Sequence, residues 1–169
     1  ESEEKDCMEF KHVSVLLNES VDALCIKADG VYADGTMGGG GHSEAIVSRL
    51  SEKGILIGID RDTEALDASR KRLSKYENVQ YMHNNYKNIK DVLSELGIDS
   101  IDGAVLDLGV SSYQLDCGER GFSYMTDAPL DMRMNRENSK TAYEVINTYA
   151  EAELADIFFK YGEEKFSRK

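Results

Sequence analysis

The chain contains 169 residues, of which 41% are apolar and 31% are charged, as expected for one globular domain with a core of its own. No apolar stretch approaches the roughly 20 residues of a membrane span, and a net charge of −12 disfavours broad, nonspecific adhesion to nucleic acid while leaving room for a local basic site. The three cysteines, Cys7, Cys25 and Cys117, form no Cys-x-x-Cys pair, which favours reduced thiols in the cytoplasm and argues against a metal site.

The residues before Met8 are acidic, unlike those of a signal peptide. We expect residues 1–9 to be a disordered extension or a remnant of an expression vector. Apolar residues at near-helical spacing then predict a short helix over residues 14–25.

Beyond this helix, short apolar runs alternate with helical patterns. The predicted elements are a strand at 31–33, a helix that Ser43 caps and that runs to about Lys53, a strand at 55–59 closed by Asp60, a helix capped by Asp62 or Thr63, a strand at 79–82, a helix near 87–96 that Gly97 ends, and a strand at 101–108. This alternation is typical of βαβ units in a parallel α/β sheet.

The character of the sequence changes after Leu108. Residues 109–140 are polar and have no clear period, and helical patterns follow at 142–147 and 151–161. A fourth strand at the edge of the sheet would leave one side unpaired, which is an aggregation hazard. We therefore expect further strands beyond residue 169, and we expect the incomplete sheet to be open to edge pairing or to a homodimer.

Four consecutive glycines, Gly38 to Gly41, lie between the first predicted strand and its helix. Glycine tolerates positive φ angles and lets a ligand approach the bare main chain, but each one costs chain entropy. Open α/β sheets bind nucleotides where a strand passes into a helix. The loop therefore predicts a nucleotide-like ligand.

The residues around the glycines limit the choice of ligand. A P-loop requires a lysine after the last glycine, where this chain has His42. The dinucleotide fingerprint requires glycine or alanine where this chain has Ser43, which weakens NAD as the ligand without excluding it. S-adenosylmethionine (SAM) has no phosphate and needs neither feature.

Asp60 closes the second predicted strand about 20 residues beyond the glycines, where an acidic residue can accept hydrogen bonds from a ribose diol. Asp60 could instead cap the following helix. The loop and the acid together indicate an adenosine cofactor and do not by themselves separate NAD from SAM.

A second polar cluster follows the fourth predicted strand, where Asp107 precedes the hydroxyls of Ser111 and Ser112. This cluster faces the same crevice as the glycine loop. A dehydrogenase has no need of it, whereas a methyltransferase acting on an amine could use the Asp107 carboxylate to accept a proton or a hydrogen bond from that amine. The alternative is an acidic strand end followed by an ordinary polar loop.

Six segments carry a resemblance to a known family. They are HVSVLLNE at 12–19, DGTMGGGGHS at 34–43, GIDRD at 58–62, LDLGVSS at 106–112, RGFS at 120–123 and PLDMRM at 129–134. Their sequence and order resemble the bacterial small-subunit ribosomal RNA cytosine-N4 methyltransferase family. The resemblance implies a Rossmann-like SAM-dependent methyltransferase sheet over 10–108, and a connector with the start of an inserted helical substrate-binding domain over 109–169.

The resemblance also implies which residues contact the cofactor SAM and the small-subunit ribosomal RNA. The cofactor positions are Gly40, Gly41, His42, Asp60, Tyr86, Asp107 and Gln114, and Asp107 is in addition the candidate catalytic residue. Candidates for stacking on the target base are Tyr113, Phe122 and Tyr124. Residues 130–134 with Arg120 and Arg136 are either substrate contacts or a salt-bridged connector.

Two other functions stay open at this point. An NAD-dependent oxidoreductase would share the glycine loop and Asp60 but would not need the Asp107 cluster. A chain without its last strands could also bind SAM and transfer no methyl group.

Overall fold

The computed structural model describes residues 14–168, and of Ser112 only the main chain. The extension expected over residues 1–9 lies outside this range. The chain divides into two compact units, one ending at Tyr113 and the other beginning at Gln114. In the described part, no helix is long and apolar enough to cross a membrane.

The described residues form four strands and seven α-helices. They are α1 (Leu17–Ala23), β1 (Val31–Asp34), α2 (Gly41–Val47), β2 (Ile55–Asp60), α3 (Thr63–Arg72), β3 (Val79–His83), α4 (Ile89–Glu95), β4 (Gly103–Val105), α5 (Ser112–Asp116), α6 (Ala142–Thr148) and α7 (Glu151–Tyr161). Short 3-10 turns occur at Tyr86–Asn88 and Gly118–Arg120.

The first unit contains a parallel sheet with the strand order β3-β2-β1-β4. Strand β1 therefore has a neighbour on both sides, and its last residue, Asp34, lies opposite Gly58 of β2 and Val105 of β4. This arrangement confirms the predicted Rossmann-like α/β fold class. It also brings the carboxyl ends of β1, β2 and β4 to one edge of the sheet.

Both faces of the sheet are buried, as the apolar runs of β1 and β2 predict. Tyr32 and Leu56 lie on one face in a cluster with Val21 of α1 and residues of α2 and α3. Ala33 and Ile57 lie on the other face, in a second cluster that also contains Val92 of α4.

The prediction of a fourth strand over 101–108 is wrong in its length, because β4 comprises only Gly103–Val105. β4 pairs with β1 alone among the described residues. Leu106 and Leu108 follow it with 47% and 66% of their surfaces exposed. The apolar run predicted a buried strand here, but nothing in the described part of the chain covers these two side chains.

The prediction that Ser43 caps the second helix is also wrong. Helix α2 begins at Gly41 after Gly40, whose φ of 79° is left-handed, and it ends at Val47 rather than near Lys53. Ser43 is fully buried, and its hydroxyl donates to Asp34 Oδ2 at 2.7 Å. The Ser43 hydroxyl is thus bonded to a residue outside the helix, Asp34, and does not cap the helix as the local pattern predicted.

Two other helix ends agree with their predictions. Asp62 precedes α3 and accepts a hydrogen bond from the main-chain N–H of Glu64, as an N-cap residue does. Gly97 follows α4 with a φ of 67°, which favours glycine.

In the second unit, segment 130–134 has the contacts of a connector. Arg120 is 2% exposed, and its guanidinium donates to the carbonyl oxygens of Arg133 and Met134 at 3.0 and 3.2 Å. Arg133 donates to both carboxylate oxygens of Asp131, and this hydrogen bonding lowers the pKa of Asp131 to about 2. Of the two alternatives for these residues, the contacts favour the connector for Arg120 and Arg133.

Asp34 is a buried carboxylate at the carboxyl end of the central strand. It accepts hydrogen bonds from the Ser43 hydroxyl and from the main-chain N–H of Thr36. Burial raises its pKa to about 6, because desolvation disfavours the charged form more than these two hydrogen bonds favour it.

Replacing Asp34 with Asn should change how stability depends on pH. The pKa of Asp34 is higher in the folded chain than in the unfolded chain, so the folded state binds the proton more tightly. The wild-type chain should therefore lose stability relative to Asp34→Asn as the pH rises from about 4 to about 6, at up to about 1.4 kcal/mol per pH unit. Urea unfolding at several pH values measures this difference.

The matched control is Asp67→Asn, which removes an exposed carboxylate from α3. Its stability should follow that of the wild-type chain across the same interval. Identical pH profiles for the wild type and Asp34→Asn would contradict the raised pKa.

Candidate functional site

The glycine loop leaves β1 at Asp34 and enters α2 at Gly41. Gly38 and Gly40 have φ angles of 50° and 79°, which side-chain-bearing residues rarely adopt. The N–H of Gly40 donates to the carbonyl of Met37 at 2.8 Å and closes a turn within the loop. The path of the main chain thus favours glycine at positions 38 and 40.

Asp60, at the end of β2, is bonded to this loop. Its Oδ2 accepts from the N–H of Gly38 at 2.7 Å, and its Oδ1 accepts from the N–H of Asp62 at 2.9 Å. Burial raises the pKa of Asp60. The helix cap is Asp62, so the alternative that Asp60 serves as the cap does not hold.

Tyr86 lies beside the start of the loop. It opens the 3-10 turn after β3 and is 39% exposed. Tyr86 packs directly against Gly35, where a side chain would not fit, since a Cβ at Gly35 would lie 2.9 Å from the Cβ of Tyr86. The aromatic ring that the resemblance assigns to the cofactor is therefore next to the carboxyl end of β1.

Asp107 lies on the other side of the loop, beyond the end of β4. Its side chain is exposed, and its main-chain N–H donates to Thr36 Oγ1 at 2.7 Å. The first unit thus brings together the loop, Asp60, Tyr86 and Asp107. Gln114 is 5% exposed and belongs to the second unit.

The side chain of His42 is directed away from solvent. The ring is 7% exposed, and its Nε2 lies 3.2 Å from the carbonyl oxygen of Val15, ahead of α1. The main-chain N–H groups of Gly41 and His42 belong to the first turn of α2, which has no intrahelical acceptors for them. A ligand at the loop would therefore meet the main chain of His42 rather than its ring.

Three residues that support the site were not identified from the sequence. Asp34 and Thr36 bond to each other and fix the start of the loop. Arg72 of α3 donates to the carbonyl of Gly39 at 3.0 Å and to the Glu44 carboxylate at 3.1 Å. The Asp-Gly-Thr sequence before the glycines could have drawn attention to the first two, but no local pattern marks Arg72.

The chemistry of this edge limits the ligands that it can hold. Two carboxylates, Asp60 and Asp107, flank main-chain donors and an aromatic ring, and no lysine lies in the loop. Carboxylates suit hydroxyl groups and positive charge, and they disfavour phosphates. Among residues 14–168, no group of three or more His, Cys, Asp or Glu side chains could hold a metal ion.

Comparison with solved structures finds partial likenesses. One is a putative methyltransferase from Streptococcus mutans in complex with SAH, with a TM-score of 0.49 and 22% identity over 60% of this chain and 56% of that one. Another is an rRNA methylase from Streptococcus thermophilus, with a TM-score of 0.48 and 23% identity over 64% of each chain.

Comparison of sequences finds much closer relatives. Ribosomal RNA small subunit methyltransferase H from two Clostridium botulinum strains, Loch Maree and Kyoto, is 65% and 64% identical over 162 residues. The match covers 96% of this chain and 52% of each relative, so the chain spans about half the length of the curated relatives it matches. The sequence model of the MraW methylase family matches residues 9–169, and the chain belongs to that family.

Proposed function

We propose that the chain is the cofactor-binding half of a cytoplasmic SAM-dependent methyltransferase that methylates the N4 amine of a cytidine in small-subunit ribosomal RNA. The hydrogen bond between Asp60 and Gly38 carries the proposal, because it joins the glycine loop and the acid into one site. Membership of a methylase family and the name of the relatives support the reaction class and the RNA substrate.

The donors and acceptors at the loop suit SAM. The Asp60 carboxylate can accept hydrogen bonds from the ribose hydroxyls, and Tyr86 can flank the adenine. The main chain of Gly40, Gly41 and His42 allows close approach of the amino-acid end. Because Ser43 stands where the dinucleotide fingerprint has its third glycine and the Asp60 carboxylate is bonded to the loop, the site favours SAM over NAD.

Gln114 is the remaining proposed cofactor residue. It begins the second unit, and its side chain is buried.

Asp107 is the residue proposed to act on the substrate. The exocyclic amine of cytosine is a weak nucleophile because its lone pair is delocalised into the ring. The exposed carboxylate of Asp107 can accept a hydrogen bond from the amine and then its proton, as the new N–C bond forms. SAM, when bound, supplies the electrophilic methyl group, and the main role of the protein is alignment and exclusion of water.

The target cytidine has to be unpaired or turned out of a helix before its amine can reach Asp107. Tyr124 is 97% exposed in the second unit, and we propose it as a surface on which a base can stack. The net charge of −12 is unfavourable for broad contact with phosphates, so binding of the RNA by the rest of the protein is part of the proposal.

Replacing Asp60 with Ala should weaken SAM binding by roughly 10- to 100-fold, since a hydrogen bond to a charged group contributes about 1.5–3 kcal/mol. Calorimetric titration of the chain with SAM measures the change. Asp62→Ala is the matched control: it removes a neighbouring carboxylate and the cap of α3, so it should lower stability by about 1 kcal/mol and leave SAM affinity unchanged.

Unchanged affinity in Asp60→Ala would remove Asp60 from the site. The same titration with NAD separates the two cofactor classes. Binding of NAD without binding of SAM would overturn the proposed function.

Replacing Asp107 with Asn should lower methyl transfer about 100-fold or more, because it removes the proton acceptor. The measurement uses this chain extended by the remaining C-terminal half of the Clostridium botulinum relative, with small ribosomal subunits as substrate. Mass spectrometry of the nucleosides then quantifies N4-methylcytidine. Asp99→Asn, an exposed carboxylate before β4, is the control and should retain full activity.

Full transfer by Asp107→Asn would exclude Asp107 as the acceptor. The unextended chain tests the alternative that it binds the cofactor without catalysing transfer. SAM binding without methylation by that chain, beside methylation by the extended protein, would support the alternative for the chain alone.

A further inference from the structure

The position of Asp107 is not set by the sheet. Strand β4 ends at Val105, and the last main-chain hydrogen bond between β1 and β4 in this region is donated by Gly35 to Val105 at 3.0 Å. Asp107 lies two residues further along, and both Leu106 and Asp107 are exposed. A residue in such a segment needs another contact to occupy a defined position.

The Thr36 side chain supplies that contact. Its Oγ1 accepts the hydrogen bond of the Asp107 N–H at 2.7 Å. This bond takes the place of the next main-chain bond that a longer β4 would have made with β1. A hydroxyl oxygen on β1's outgoing loop therefore links the two sides of the proposed site.

Thr36 is itself held firmly in place. The residue before it donates to Val105 of β4, and the residue after it, Met37, donates to Ile59 of β2 at 3.0 Å. The N–H of Thr36 donates to the buried Asp34 carboxylate at 3.2 Å. The hydroxyl thus has a fixed position with respect to both neighbouring strands and the glycine loop.

We propose that Thr36 is a positioning residue: its hydroxyl holds the main chain of Asp107 beside the glycine loop, in the place where the carboxylate can meet the amine of the substrate. The catalytic use of Asp107 rests on the function proposed above, whereas the hydrogen bond between the two residues does not. Misplacement of a reacting group by about 1 Å can slow an enzyme roughly 100-fold, so one such bond can matter to the rate.

The first test is independent of activity. Thr36→Val keeps the shape of the side chain and removes the hydroxyl, and Thr36→Ser keeps the hydroxyl. Amide hydrogen exchange of the chain, followed by NMR, should show Asp107 exchanging roughly five- to tenfold faster in Thr36→Val and unchanged in Thr36→Ser. The Gly35 amide, bonded to Val105, is the internal control and should not change. Equal exchange of Asp107 in all three proteins would overturn the proposal.

The second test is kinetic and uses the extended protein. Thr36→Val should lower kcat for methyl transfer roughly 10- to 100-fold with little change in the KM for SAM, and Thr36→Ser should restore it. In an Asp107→Asn background the same substitution should cause no further loss, because it acts through Asp107. An equal loss in both backgrounds would mean that Thr36 acts elsewhere.

The two tests separate the two proposals. If the unsubstituted extended protein transfers no methyl group, the proposed function fails, and amide exchange still decides whether Thr36 holds Asp107. If transfer occurs and the Thr36→Val protein retains full kcat, the positioning role fails and the proposed function stands.

Discussion

The site depends on the central position of β1. β1 has a neighbouring strand on both sides. The loop that leaves it carries main-chain amides that need hydrogen-bond acceptors. These amides donate to the carboxylates of Asp34 and Asp60 and to the carbonyls of Val105 and Ile59. The loop also supplies an acceptor, the hydroxyl of Thr36, to the N–H of Asp107. Hydrogen bonds to the sheet edge therefore define the path of the glycine loop.

This arrangement has an electrostatic cost that bears on the proposed choice of ligand. Burial raises the pKa of both Asp34 and Asp60, so neither charge is fully compensated by its neighbours. Carboxylates that lack a cationic partner disfavour an anionic ligand and favour one with hydroxyl groups and positive charge. A sulfonium nucleoside has both properties, whereas a pyrophosphate has neither. Of these two carboxylates, Asp60 is the one bonded to the glycine loop, so it is the one that can favour the proposed cofactor.

Sequence reasoning predicted β1, β2 and β3 to within one residue at either end, because each is a short apolar run with a polar residue after it. It also predicted that Asp62 or Thr63 caps α3, and Asp62 is the cap, since that cap depends only on adjacent residues. It was wrong on Ser43 and on the length of β4, because both depend on tertiary partners: Ser43 bonds to Asp34, and β4 lacks a second neighbour in the described part of the chain. Arg72, which holds the loop from α3, has no local signal at all.

His42 illustrates a limit of motif-based inference. A motif marks a position and does not state whether the side chain or the main chain is used there. The His42 ring is buried against the carbonyl of Val15, so it ties the start of α2 to the segment before α1, while the main chain of the same residue faces the first turn of the helix. A single position can therefore contribute its side chain to the fold and its amide to a ligand. A substitution that removes the ring's hydrogen bond to Val15 would therefore report on the fold. The proposed contact with the cofactor uses the main chain, which such a substitution leaves in place.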